Sequence, residues 1–137
     1  MSLPSEADRK VAFGQHGSVE FAVKAPGKMA DAWGWKEGLD SKRWTSFCVL
    51  FQRLVETGQI HNETRFKHLE DEVYEFKRNG LRLLYVRIGD RYLLTNTLKK
   101  SGRKNISEDI ERSKTIGKGH LKWEQSRIKK IGNTSAA

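Results

Sequence analysis

The chain has 137 residues, with 26 Lys and Arg against 17 Asp and Glu, 36% hydrophobic residues, four Trp and six Phe. That length holds one core and not two, and the aromatic content separates it from disordered sequences. No apolar run approaches a bilayer span, no charged-then-apolar leader opens the chain, and the single cysteine, Cys48, allows neither an internal disulfide nor a Cys-based zinc site, as expected of a reducing cytoplasm.

Residues 1–17 are expected to be a flexible N-terminal segment. In SVEFAVK (18–24), Val19, Phe21 and Val23 alternate with Ser18, Glu20 and Ala22, which predicts a strand that Ala25-Pro26-Gly27 ends. A short irregular helix is expected from Lys28 to Leu39. A stronger one, SKRWTSFCVLFQRLVETG, is capped by Asp40 or Ser41 and stopped by Gly58. Its Trp44, Phe47, Cys48, Phe51, Leu54 and Val55 recur every three or four residues, forming one core-facing stripe. QIHNETRFKHLED (59–71) is expected to be a loop. After a loop at Gly102, Ser107 followed by Glu108, Asp109 and Glu111 marks a helix start. Gly117 and Gly119 predict an interruption, which divides the chain into a body over 18–116 and a helical extension with a frayed tail over 117–137.

Between these helices lies FKRNGLRLLYVRIGDRYLLTNTLKK (76–100). Asn79-Gly80 and Gly89-Asp90 are two-residue hairpin turns, so the stretch is a three-stranded meander with a fixed register. Lys77 then faces Arg82, Phe76 faces Leu83, Tyr74 faces Tyr85, Tyr85 faces Leu94, and Arg82 faces Thr97. Tyr74, Phe76, Leu81, Leu83, Tyr85, Tyr92, Leu94 and Leu98 share the core face. Glu75, Lys77, Arg82, Thr97 and Lys99 collect at one end of the other face. Like charges placed opposite each other on a sheet repel, and a bound phosphate would relieve this.

The charge distribution points the same way. Residues 1–40 carry five basic and six acidic side chains, whereas 41–137 carry 21 and 11, within a total of +9. This asymmetry suggests a polyanionic partner. His16, His61 and His68 have no spacing that suggests metal binding, and no metal or cofactor is expected.

The run from Val73 to Ser113, VYEFKRNGLRLLYVRIGDRYLLTNTLKKSGRKNISEDIERS, resembles the RelE superfamily of bacterial toxins, in particular its HigB-like, phage-derived branch. The resemblance covers about residues 43–116. It implies an α+β fold: a twisted, mainly antiparallel sheet with two N-terminal helices packed on one face and a C-terminal helix. It also implies a cytoplasmic, metal-independent endoribonuclease that cuts mRNA, usually on the ribosome, by attack of a ribose 2′-OH on the adjacent phosphate. The partner implied is a cognate antitoxin, often with a helix-turn-helix domain.

By this resemblance Arg82 binds the reacting phosphate, Lys77 or Arg78 supports it, and Lys99, Lys100, Arg103 and Lys104 follow the last strand as further RNA-binding cations. The catalytic set expected is Arg82, Lys77, Lys99 and His120, with Arg78, Thr97, Lys100, Arg103 and Lys104 as nucleic-acid contacts. The chain departs from the family in having no Tyr after Tyr92; His120 could stand in only if the chain beyond Gly119 folds back over the sheet, and a lysine beside other cations is the second candidate base. Two other functions use the same scaffold: a basic module that grips RNA or DNA without cutting it, and a gyrase-inhibiting toxin.

Overall fold

In the computed structural model, which describes residues 3–24, 27–58, 66–98 and 106–136, ordered structure begins before the expected first strand. Ser5 accepts a hydrogen bond from the Asp8 N–H and opens a single helical turn, α1 (Glu6–Arg9). The chain continues into β1 (Lys10–Gly14), which pairs antiparallel with β2 (Gly17–Phe21). Gly17 is required at the turn. Its φ is +134°, and a Cβ there would lie 2.0 Å from the carbonyl oxygen of Asp90. The strand expected over 18–24 divides in two: after Phe21 the chain turns away as β3 (Val23–Lys24), pairing with β4 (Lys28–Met29).

Helix α2 (Asp31–Glu37) is shorter than expected, because Lys28 and Met29 are in β4. Helix α3 (Ser41–Thr57) has the expected bounds. The Asp40 side chain caps it by accepting from the Arg43 N–H at 2.7 Å, and Gly58 ends it in the left-handed conformation. Four strands follow: β5 (Phe66–Glu70), β6 (Val73–Arg78), β7 (Leu81–Ile88) and β8 (Arg91–Thr97). The expected loop over 59–71 therefore contains a strand, β5, that pairs with β6.

Six strands form one sheet in the order β1-β2-β8-β7-β6-β5. β2 runs parallel to β8 and every other neighbouring pair is antiparallel, so the class is α+β with a mixed, mostly antiparallel sheet. Both hairpins form in the expected register, with Lys77 opposite Arg82, Phe76 opposite Leu83, and Tyr85 opposite both Tyr74 and Leu94.

Beyond that point the register departs from expectation. Thr95 and Asn96 together occupy the span of Leu84, a β-bulge that places Thr97 opposite Leu83 rather than Arg82. The bulge is stabilised from across the sheet. The Thr95 hydroxyl lies 2.6 Å from that of Ser113, and the Asn96 amide donates to the carbonyl of Asp109. One extra residue reverses the faces that follow. Thr97 moves to the side of Leu83, and Leu98, whose N–H donates to the carbonyl of Arg82, is absent from the aromatic core it was expected to join.

Helix α4 (Ile106–Ala136) is continuous over 31 residues, about 46 Å at the α-helical rise. Gly117 does not interrupt it. The helix passes so close to the sheet that a Cβ there would lie 3.1 Å from the Val86 side chain. The sheet is thus covered on both sides. Phe47, Phe51, Leu54 and Val55 of α3 and Ala32 of α2 pack on Val19, Phe21, Phe76, Leu83, Tyr85 and Leu94. On the other side Ile110 and Ile116 of α4 pack on Val73, Val86 and Leu93. The aromatic side is dense: the Phe76 ring stacks on Tyr85 at 4.2 Å and meets the edge of Phe51 at 4.9 Å.

Candidate functional site

The Asn79 end of the sheet carries the expected basic edge. Lys77 is exposed, Arg78 is half-buried, and Arg82 keeps 31% of its side chain exposed. The repulsion between Lys77 and Arg82 is answered from within the protein. Glu75, on the same face of β6 as Lys77, has a side chain only 3% exposed and accepts two hydrogen bonds from Arg82, Nε at 2.7 Å and Nη2 at 2.9 Å. This two-point pairing fixes the plane of the guanidinium. It leaves Nη1 without a protein partner among the described residues.

Thr97 is displaced from this group by the bulge and is half-buried beside Leu83. The Leu98 N–H to Arg82 carbonyl bond, 3.0 Å long, holds the chain against Arg82 one residue before Lys99. Lys99, Lys100, Arg103 and Lys104 lie outside the described residues.

His120 is at the other end. The chain beyond Gly119 does return over the sheet, as α4, but it buries His120 to 1% exposure rather than bringing it to Lys77. Its Nδ1 accepts the backbone N–H of Val23 at 2.9 Å. The neutral ring therefore carries its proton on Nε2, which faces Glu124 Oε2 at 3.3 Å. Burial lowers the His120 pKa, against the opposing pull of the Glu124 and Glu20 carboxylates. Roughly 20 Å of strand β7 separates Arg82 from Ile88, the residue opposite Arg91 beside His120.

Around His120 the structure gathers residues that the sequence did not single out. Arg91, the first residue of β8, places Nη2 2.5 Å from Glu20 Oε1 and 2.5 Å from Glu124 Oε2, with His120 Nε2 at 3.3 Å. The bonds that Arg91 donates to the carboxylates, to Glu124 first and then to Glu20, raise the Arg91 pKa and hold the guanidinium charged. Glu20, His120 and Glu124 offer ligand atoms within 4.8 Å of one another, a spacing that suits a metal ion. The guanidinium of Arg91 sits among them, however, and is already the cation of the cluster. Trp123 lies next to it, with Arg9 and Arg127 over its ring. The available sequence signal was HLKWEQSR, in which positions 120, 123, 124 and 127 share one helical face. The expected break at Gly117 hid it.

A scan against models of protein families finds no match to this chain, and a search of the curated proteins finds none. The site is therefore described by its own geometry. It has an exposed lysine opposite an arginine that a buried carboxylate holds in place, and, at the far end, a buried histidine in an ionic network. Among the described residues no helix is long and apolar enough to cross a membrane.

Proposed function

We propose that this chain is the toxin component of a toxin–antitoxin pair of the RelE kind, acting on mRNA as a metal-independent endoribonuclease, with the Lys77–Arg82 edge binding the scissile phosphate. One observation carries the reading. Glu75 holds the Arg82 fork rigid, with Nη1 unpartnered among the described residues and exposed Lys77 directly opposite.

A cation positioned in advance stabilises charge as it develops on a phosphorane oxygen without reorganising at the moment of reaction. Lys77 supplies a mobile second charge. Leu98 lies beside Arg82, and the cations that follow it in sequence, Lys99, Lys100, Arg103 and Lys104, would on this reading extend the RNA-binding track. On this proposal Arg82 holds the phosphate, Lys77 and Lys99 share the proton transfers, and Arg78 and Lys100 hold flanking phosphates. The masking partner is an antitoxin that covers the same edge.

The burial of His120 favours a second reading, in which the same edge grips RNA without cutting it. A histidine with Nδ1 committed to Val23 and Nε2 to Glu124 takes no part at an edge so far away. Expression of the chain with and without an antitoxin, followed by primer extension on a reporter message, separates the two. Discrete breaks that vanish in Lys77→Ala establish the nuclease. Salt-sensitive RNA binding with intact messages establishes the binding module, and growth arrest with neither result points to gyrase. Lys77 is the better probe because it is exposed and has no ionic partner among the described residues to leave stranded. Its removal is expected to weaken RNA binding about tenfold and to lower the salt slope by about one.

A further inference from the structure

At the end of the molecule away from the basic edge, α1, β2, β8 and α4 border an open cleft of about 430 Å³, within the range of small-ligand sites. Arg9 lines it and is only 6% exposed. Among the described residues its guanidinium makes one hydrogen bond, from Nη1 to the carbonyl of Pro4 at 2.6 Å, and its buried Nε has no partner. Burying a cation without a counter-charge is costly, and such a group seeks an anion. The acids of the cleft are engaged elsewhere: Glu20 and Glu124 bind Arg91, and Glu6 lies 3.9 Å from Lys10. Arg9 sits instead over the Trp123 ring at 5.2 Å, and exposed Arg127 sits over the same ring at 4.7 Å. Two guanidinium groups thus line the cleft against one indole, with no carboxylate paired to either among the described residues.

We infer that this cleft binds a terminal phosphate group, the phosphate monoester of a mononucleotide or of an RNA end, between Arg9 and Arg127. A monoester concentrates two charges on one head, which the two guanidinium groups lining the cleft can match. A strand running through would instead carry its diester charges past the carboxylates of Glu6, Glu20 and Glu124. Trp123 offers an apolar surface for the sugar or base behind the phosphate. The site is separate from the Lys77–Arg82 edge and does not depend on the function proposed for that edge.

The test is calorimetric titration of the full chain with AMP, adenosine and inorganic phosphate, and with one short RNA in 5′-phosphorylated and unphosphorylated forms. The Trp123 indole N–H is followed by NMR in parallel. AMP and inorganic phosphate are expected to bind and adenosine not to bind, with the Trp123 signal shifting as AMP is added. Arg127→Ala, an exposed change that leaves the fold intact, is expected to weaken AMP binding about tenfold. Lys77→Ala is expected to leave AMP binding unchanged while weakening binding at the basic edge. Tighter, Arg127-dependent binding of the phosphorylated RNA than of AMP would identify an RNA end as the source, and equal or weaker binding would identify a free nucleotide; either upholds the phosphate site. Equal binding of AMP and adenosine, no binding at millimolar AMP, or AMP affinity unchanged in both Arg127→Ala and Arg9→Gln would overturn it.

Discussion

Removing Arg82 strips the counter-charge from Glu75, whose side chain is 3% exposed. Arg82→Ala is therefore expected to cost about 3 kcal/mol of stability, since it leaves a buried carboxylate unpaired. The double variant Glu75→Leu/Arg82→Leu is expected to recover much of that loss in urea unfolding, because it removes both charges. A loss of RNA cleavage in Arg82→Ala alone would thus mix folding with chemistry. His120 sets a second residue-scale expectation. Its folded-state pKa is lowered, so as the pH falls the unfolded chain takes up the proton first. The stability contributed by neutral His120 is complete above about pH 6.5 and is lost as the pH falls below it. Thermal melts between pH 7.5 and 5 are expected to show this slope, and His120→Asn, which keeps an acceptor near Val23, is expected to flatten it. Glu20, Glu124 and Arg91, which face the ring, are unchanged in the variant, so the comparison isolates the imidazole.

The two hairpins were legible in the sequence because Asn79-Gly80 and Gly89-Asp90 fix turn geometry through local backbone preference alone. Helix α3 was legible for a similar reason, having a cap, a stripe and a terminal glycine within one short window. β1 and β5 were not, since an edge strand is short and one side of its ladder is open, so its alternation is weak. The bulge at Thr95 and Asn96 was hidden for another reason, because it depends on Ser113 and Asp109 of a helix distant in sequence. Gly117 looked like a breaker when its role is close approach to Val86. The opposition of Lys77 and Arg82 followed from register, and the same alternation put Glu75 on their face, but its pairing with Arg82 depends on a burial that the sequence does not show. Gly17 tests how these elements dock. Gly17→Ala forces a Cβ onto the Asp90 carbonyl at a positive φ and is expected to destabilise the fold by about 3 kcal/mol in chemical denaturation.

At the scale of the whole molecule, the two helical layers divide the work. The α2–α3 side holds the aromatic core, and α4 covers Val73, Val86 and Leu93 while supplying His120, Trp123 and Glu124 to the far cluster. A chain ending at residue 105 is expected to expose that apolar face, bind a hydrophobic dye and aggregate. The charge is spread just as unequally: residues 41–137 carry a net +10 against −1 for 1–40, a long-range field that under the proposed function would draw a polyanion to the basic edge. RNA binding by the intact chain is accordingly expected to weaken steeply between low and physiological salt.

The parallel pairing of β2 with β8 also has a consequence for how the protein is made. β8 lies between β2 and β7, so the sheet stays in two pieces until nearly a hundred residues have been synthesised. Closing so long a loop is slow. During that delay the nascent polypeptide lacks its central seam, and Arg82 has no Leu98 amide bonded to its carbonyl. Under the proposed function, the Lys77–Arg82 edge would thus stay incomplete in the nascent polypeptide until β8 had been made and docked.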